Sequence, residues 1–136
     1  MTNWVGRPRI MVDWDGTCVT NTWPEMSTEW MPGAVRALHK LSEFADVVIY
    51  TARIGRGPEG PFPEKSDAEI QTQINYIRQM LDEAGLPWIE IWNKPWKPGA
   101  MAYVDDKAVH YTGHKRAWDD LVDKLAAMAG KEELIA

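Results

Sequence analysis

The string Asp13-Trp14-Asp15-Gly16-Thr17 sets two carboxylates one residue apart, with a glycine directly behind them. On an extended strand both acids share a face, because side chains alternate. If the chain turns at Gly16, both converge instead on the strand's end. Like charges held this close are costly unless a cation or a shared proton relieves them. A hard, oxygen-seeking ion such as Mg²⁺ answers that demand. Phosphoryl transfer needs such an ion, since two anions must approach each other. An EF-hand reading of the same residues fails, because the positions after Gly16 lack the spaced acids and the closing Glu.

Three later places add to this pair. Thr51 follows an apolar run, and its hydroxyl with the amides behind it suits a phosphate oxygen. Lys94 and Lys97 stand further along, and Asp105-Asp106 close the run Ala102-Tyr103-Val104. Singly, each has an ordinary alternative: a β-favouring threonine, solvated lysines, acids that cap a turn. Their order along the chain carries the argument.

The elements that must position these residues follow from hydrophobic pattern. Four nearly continuous apolar runs, 9–12, 46–50, 88–92 and 101–104, read as strands covered on both faces. A first helix is expected to start near Met31, with Pro32 in its opening turn and Val35, Leu38 and Leu41 at helical spacing. A second opens on the capping box Ser66-Asp67-Ala68-Glu69, presents Ile70, Ile74, Ile77 and Leu81, and stops at Gly85 and Pro87. A third begins after Gly113, with Trp118, Leu121, Val122, Leu125 and Met128 on one side.

Alternating strands and helices imply an α/β fold, a three-layer sandwich around a mostly parallel, Rossmann-like sheet. Chemistry in such sheets gathers at the carboxyl ends of the strands. Asp13, Thr51, Asn93 and Asp105-Asp106 stand at those ends. The loops 16–30 and 54–65 are too short to form a cap domain, and the second is rich in Gly and Pro. The connection 93–100 is short for a parallel crossover. Fully extended it reaches about 26 Å, against roughly 22 Å needed to cross three strand spacings and return. Any helix there must be a single turn or absent.

Taken together, this order resembles the haloacid dehalogenase (HAD) superfamily of phosphohydrolases. Asp13 to Thr17 is similar to its first motif, and Val48-Ile49-Tyr50-Thr51-Ala52-Arg53 to its second. Lys97-Pro98-Gly99-Ala100 and Tyr103-Val104-Asp105-Asp106-Lys107-Ala108 are similar to the third and fourth in small capless members. The resemblance implies a single HAD-like domain over 1–136, with 130–136 a frayed tail. It implies Asp13 as nucleophile, forming an aspartyl-phosphate. Asp15 would protonate the leaving oxygen and then activate water. Thr51 and a lysine, Lys97 by its spacing to Asp105 with Lys94 as the alternative, would bind the phosphoryl group. Asp13, Asp15 through its backbone carbonyl, and Asp105 or Asp106 would hold Mg²⁺. An acid two residues after the nucleophile suits phosphate esters better than carbon–halogen bonds. Trp14, where a smaller apolar residue is usual, must point away from the site into space behind the strand.

Composition narrows the partners. A formal charge of −5 and a pI near 5.2 oppose broad electrostatic capture of nucleic acid. This weakens the alternative of a polynucleotide 3′-phosphatase. A receiver-domain reading requires its phospho-acceptor after the third strand, where Trp92-Asn93 stands. A non-catalytic binding protein on the HAD scaffold is disfavoured by the intact Asp13 and Asp15. A capless site suits bulky substrates such as nucleic-acid or glycan ends, admits small phosphorylated molecules, and is compatible with cover from a second subunit in a homo-oligomer. The single cysteine, Cys18, cannot form an internal disulfide, and the N-terminal stretch is polar. No apolar run approaches the ~20 residues that span a bilayer. The expectation is a cytoplasmic protein without a membrane partner.

Other residues are given lesser roles. Trp23, Trp30 and Trp96 are expected on the rim of the site, able to stack on a sugar or base. Arg53 and Arg56 are expected as solvated loop residues or substrate contacts. Cys18 is expected to pack. His110 and His114 lack the further ligands of a zinc set.

Overall fold

A computed structural model describes residues 6–54, 66–94, 96–107, 110, 112–128 and 130. Most of the Gly- and Pro-rich loop, Arg56 included, the end of the tail, and the start of the polar N-terminus lie outside the described residues. The element order is β1 (Arg9–Val12), α1 (Ala34–Ser42), β2 (Asp46–Ile49), a 3₁₀ turn (Ala52–Ile54), α2 (Asp67–Glu83), β3 (Glu90–Ile91), β4 (Ala102–Val104) and α3 (Ala117–Met128). The fold is α/β with a parallel sheet in the order β3-β2-β1-β4, and no cap domain occurs among the described residues. The chain forms two compact units, Met1–Asp106 and Lys107–Ala136.

In the first unit, strand alternation divides the sheet's apolar residues between two faces. Ile10, Val12, Val47 and Ile49 face a core shared with Leu38 of α1 and Ile77 and Leu81 of α2. Each such fully buried aliphatic side chain contributes about 1.5–3 kcal/mol over its exposed state. Truncating Leu81, which is fully buried, to Ala is therefore expected to cost ~2–5 kcal/mol. Met11 and Val48 face the other way and pack with Trp92, against which Ala100 and Tyr103 lie. Within 93–100, no described residue is helical, as the short crossover requires.

Two elements start later than their pattern suggests. Met31-Pro32-Gly33-Ala34 is a turn closed by the Ala34 N–H on the Met31 carbonyl at 3.0 Å, with Gly33 at φ 79°. Proline followed by a positive-φ glycine is the type II signature. That turn consumes the residues expected to open α1. β3 likewise begins only at Glu90, because Pro87 and Trp88 form a turn. α2 follows its pattern: the Ser66 hydroxyl accepts from the Glu69 N–H at 3.1 Å, and Ile70, Ile77 and Leu81 are buried.

In the second unit, His114 folds the chain ahead of α3. Its carbonyl accepts from the Ala117 N–H at 3.0 Å and its ring Nδ1 from the Arg116 N–H at 3.1 Å. Trp118, Val122, Leu125 and Met128 share one side of α3, and all four are exposed.

Candidate active site

β1 is paired on both edges, and hydrogen bonds continue beyond its end. The Asp13 N–H donates to the Val104 carbonyl and the Tyr50 N–H to the Val12 carbonyl, each at 2.9 Å. These bonds align the first residues past β1, β2 and β4 on one edge of the sheet. Asp13, Asp105 and Asp106 meet there, each offering a carboxylate oxygen, all within 4.8 Å of one another. Ligand oxygens around an octahedral ion at ~2.1 Å stand about 3–4.2 Å apart, so three oxygens within 4.8 Å of one another could share one cation.

The local chain is shaped for this approach. After Asp13 it wraps around the Trp14 carbonyl, which accepts from the N–H groups of Thr17, Cys18 and Val19 at 3.0–3.3 Å. Gly16 makes the turn at φ +83°, and a Cβ there would stand 2.4 Å from Asp106 Oδ2. A glycine is required twice over, for the backbone and for the acid seated against it. Trp14 is fully buried behind the strand and meets Trp30 edge-on at 5.3 Å between ring centroids.

The electrostatics record the crowding. Asp13 is pushed up to about 6, first by burial and then by the charges of Asp105, Asp106 and Asp15, against one favourable backbone hydrogen bond from Trp14. Burial also pushes the Cys18 thiol up to about 12, with a smaller contribution from the charge of Asp13.

Asp15 goes elsewhere. Both of its oxygens accept from Arg53, Oδ2 from Nε at 2.7 Å and Oδ1 from Nη2 at 2.9 Å. The arginine side chain is only 1% exposed. Arg53 is thus neither solvated nor extended towards solvent as a substrate contact, and the sequence reading is corrected on this point. A guanidinium is held inside when every donor finds an acceptor, and here the Pro24 and Glu25 carbonyls and Gln73 Oε1 complete the set. Its place two residues after Thr51 was the available signal; the partner, in a different motif, was not legible.

Thr51 is buried at the end of β2, and its Oγ1 accepts from the Arg53 N–H at 3.2 Å, leaving the hydroxyl hydrogen as a donor. The lysines lie against aromatic rings. Lys97 Nζ lies over the Tyr103 ring at 4.5 Å, and Lys94 Nζ over Trp92 at 5.0 Å and Trp96 at 5.7 Å. Trp96 and Trp23 are exposed, whereas Trp30, expected on the rim, packs against the core beside Trp14. His114 pairs with Asp120 at 3.4 Å.

No protein-family model matches the chain, and no curated protein does. Among solved structures the chain is similar to that of a conserved protein from Bacteroides thetaiotaomicron, with a TM-score of 0.50 and 20% identity. The match covers 90% of this chain and 93% of the other. At that identity the likeness concerns the fold alone. No helix is long and apolar enough to cross a membrane among the described residues.

Proposed function

We propose that the protein is a divalent-cation-dependent phosphohydrolase of HAD type, cleaving a phosphomonoester through an aspartyl-phosphate on Asp13. The observation that carries this reading is the convergence of Asp13, Asp105 and Asp106, from motifs about ninety residues apart, on one ion-sized space. Three acids this close, with Asp13 pushed up to about 6, make a poor structural device. They make sense as a site completed by a cation.

Mg²⁺ is the ion proposed, held by Asp13, Asp105 and Asp106, with the Asp15 carbonyl as a further candidate ligand. When bound it would neutralise the phosphoryl oxygens and let the Asp13 carboxylate approach. An Asp13 oxygen attacks phosphorus, and the bond from phosphorus to the ester oxygen breaks. Asp15 gives its proton to that leaving oxygen. Water then attacks the phosphorus, returning a proton to Asp15, and inorganic phosphate leaves Asp13. The Thr51 hydroxyl and Lys97, or Lys94, bind the phosphoryl oxygens during transfer. With no cap domain among the described residues, the substrate is a phosphorylated small molecule or a phosphorylated nucleic-acid or glycan end.

The test is hydrolysis of a chromogenic phosphomonoester by the purified protein, with Mg²⁺ and with chelator, beside the Asp13→Asn variant. Mg²⁺-dependent release that the variant lacks is expected. A wild-type protein that releases no phosphate from this ester or from a panel of phosphorylated metabolites would overturn the reading.

A further inference from the structure

We infer that Arg53 is a positioning residue for Asp15, setting its carboxylate for proton delivery, with the Trp23–Glu25 stretch as the arginine's cover; this rests on the phosphohydrolase reading above. The guanidinium has five N–H donors in a rigid fork. Nε takes Asp15 Oδ2, and Nη2 takes Asp15 Oδ1 and, at 2.7 Å, the Glu25 carbonyl. Nη1 takes the Pro24 carbonyl at 3.0 Å and Gln73 Oε1 at 3.4 Å. Every donor is occupied, so Arg53 has none to offer a substrate phosphate. The Trp23 ring closes one face of the guanidinium at 4.6 Å, with Trp23 itself 41% exposed.

A buried ion pair is a costly way to fasten a loop, and apolar packing usually does it as well or better. A two-point fork achieves something apolar packing does not: it fixes the plane of a carboxylate. Asp15 stays 13% exposed while its partner is sealed. A proton donor must reach the leaving oxygen within hydrogen-bond distance, and an error near 1 Å costs on the order of 10²-fold. The arginine holds the acid; the loop holds the arginine.

Leaving groups separate positioning from mere support. An aryl phosphate such as p-nitrophenyl phosphate expels a stable anion and needs little protonation. An alkyl phosphate such as ethyl phosphate depends on it. Arg53→Lys keeps a cation beside Asp15 and loses the fork. Its kcat on ethyl phosphate is expected to fall at least about tenfold further than on p-nitrophenyl phosphate, with KM changing little for either. Trp23→Leu, which keeps the hydrogen-bond partners of Arg53 and removes its aromatic cover, should show the same selective loss on a smaller scale. It also decides the matter if Arg53→Lys does not fold. Equal losses on both substrates, or none, in the folded variants would overturn the inference alone. A wild-type protein inactive on both esters would overturn the phosphohydrolase reading, and this inference with it.

Discussion

Asp13 and Asp15 are separated by one residue, yet the fold treats them in opposite ways. Asp13 sits with two other carboxylates and is pushed up to about 6, first by burial and then by their charges. Asp15 meets a sealed guanidinium through two charge-assisted hydrogen bonds. One region gathers three carboxylates at the carboxyl end of the sheet, and the other gives each donor of a guanidinium an acceptor. The contrast teaches that neighbouring acids of one motif need not share a role. The gathered set is the one proposed to hold an ion; the paired acid is the one proposed to be held in a fixed orientation.

The strongest way to break this comparison is at Asp13, the proposed nucleophile. Asp13→Asn should lower Mg²⁺-dependent phosphatase activity by at least about 10³-fold. It should at the same time stabilise the metal-free protein, because it removes one like charge from the cluster. Activity and thermal melting in chelator, measured on one preparation, would show whether the two effects run in opposite directions.

The matched region should respond in the reverse sense. Arg53→Leu leaves Asp15 unpaired and the Pro24 and Glu25 carbonyls without their donor. It should cost about 3–5 kcal/mol in denaturant unfolding. A loss under about 1 kcal/mol would mean that the pair is not the fastening described here.

The sign of the pH response sharpens the contrast further. Asp13 binds its proton more tightly folded, near 6, than unfolded, near 3.8. Between those values the folded state carries more protons, so this group's contribution to stability falls as pH rises through the window. The penalty is complete above about pH 6. In chelator, melting temperature should therefore gain from this group as pH drops from 7 towards 4, and Asp13→Asn should remove that gain. On the proposed reading Mg²⁺ competes with the same proton, so its stabilising effect should be large at pH 7.5 and fade below about 6. An Mg²⁺ shift equal at pH 5 and 7.5 would contradict this.

Gly16→Ala tests the seat of Asp106. The positive φ alone costs on the order of 1–2 kcal/mol, and the added Cβ must displace the carboxylate that it meets at 2.4 Å. Weaker Mg²⁺ affinity beyond that stability loss is the expected outcome, read by calorimetric titration. The smallest effect is at Cys18, buried and with its thiol pushed up to about 12. A disulfide reagent at pH 8 should leave the folded protein unmodified and label it once unfolded.

Local pattern made much of this legible. The apolar runs ending in Asp13, Thr51 and Asp105 located three strands, because a parallel strand covered on both faces needs apolar residues at consecutive positions. Ser66 and Glu69 located the start of α2 through a hydrogen bond spanning three residues. The start of α1 was misjudged because Pro32 serves a turn as readily as a helix, and only the left-handed Gly33 decides between them. The lysines stayed ambiguous since a long flexible cation has many partners, and here the aromatic rings of Tyr103, Trp92 and Trp96 take them.

By itself the sequence determined which acids could act: their types, their order, and their places at strand ends follow from short-range pattern. Only the tertiary structure decided how those acids are divided, with Asp13, Asp105 and Asp106 gathered and Asp15 turned to Arg53. The reason is physical. A side chain's partner depends on which distant segments become neighbours and on which of them are sealed from water, and no local spacing encodes either.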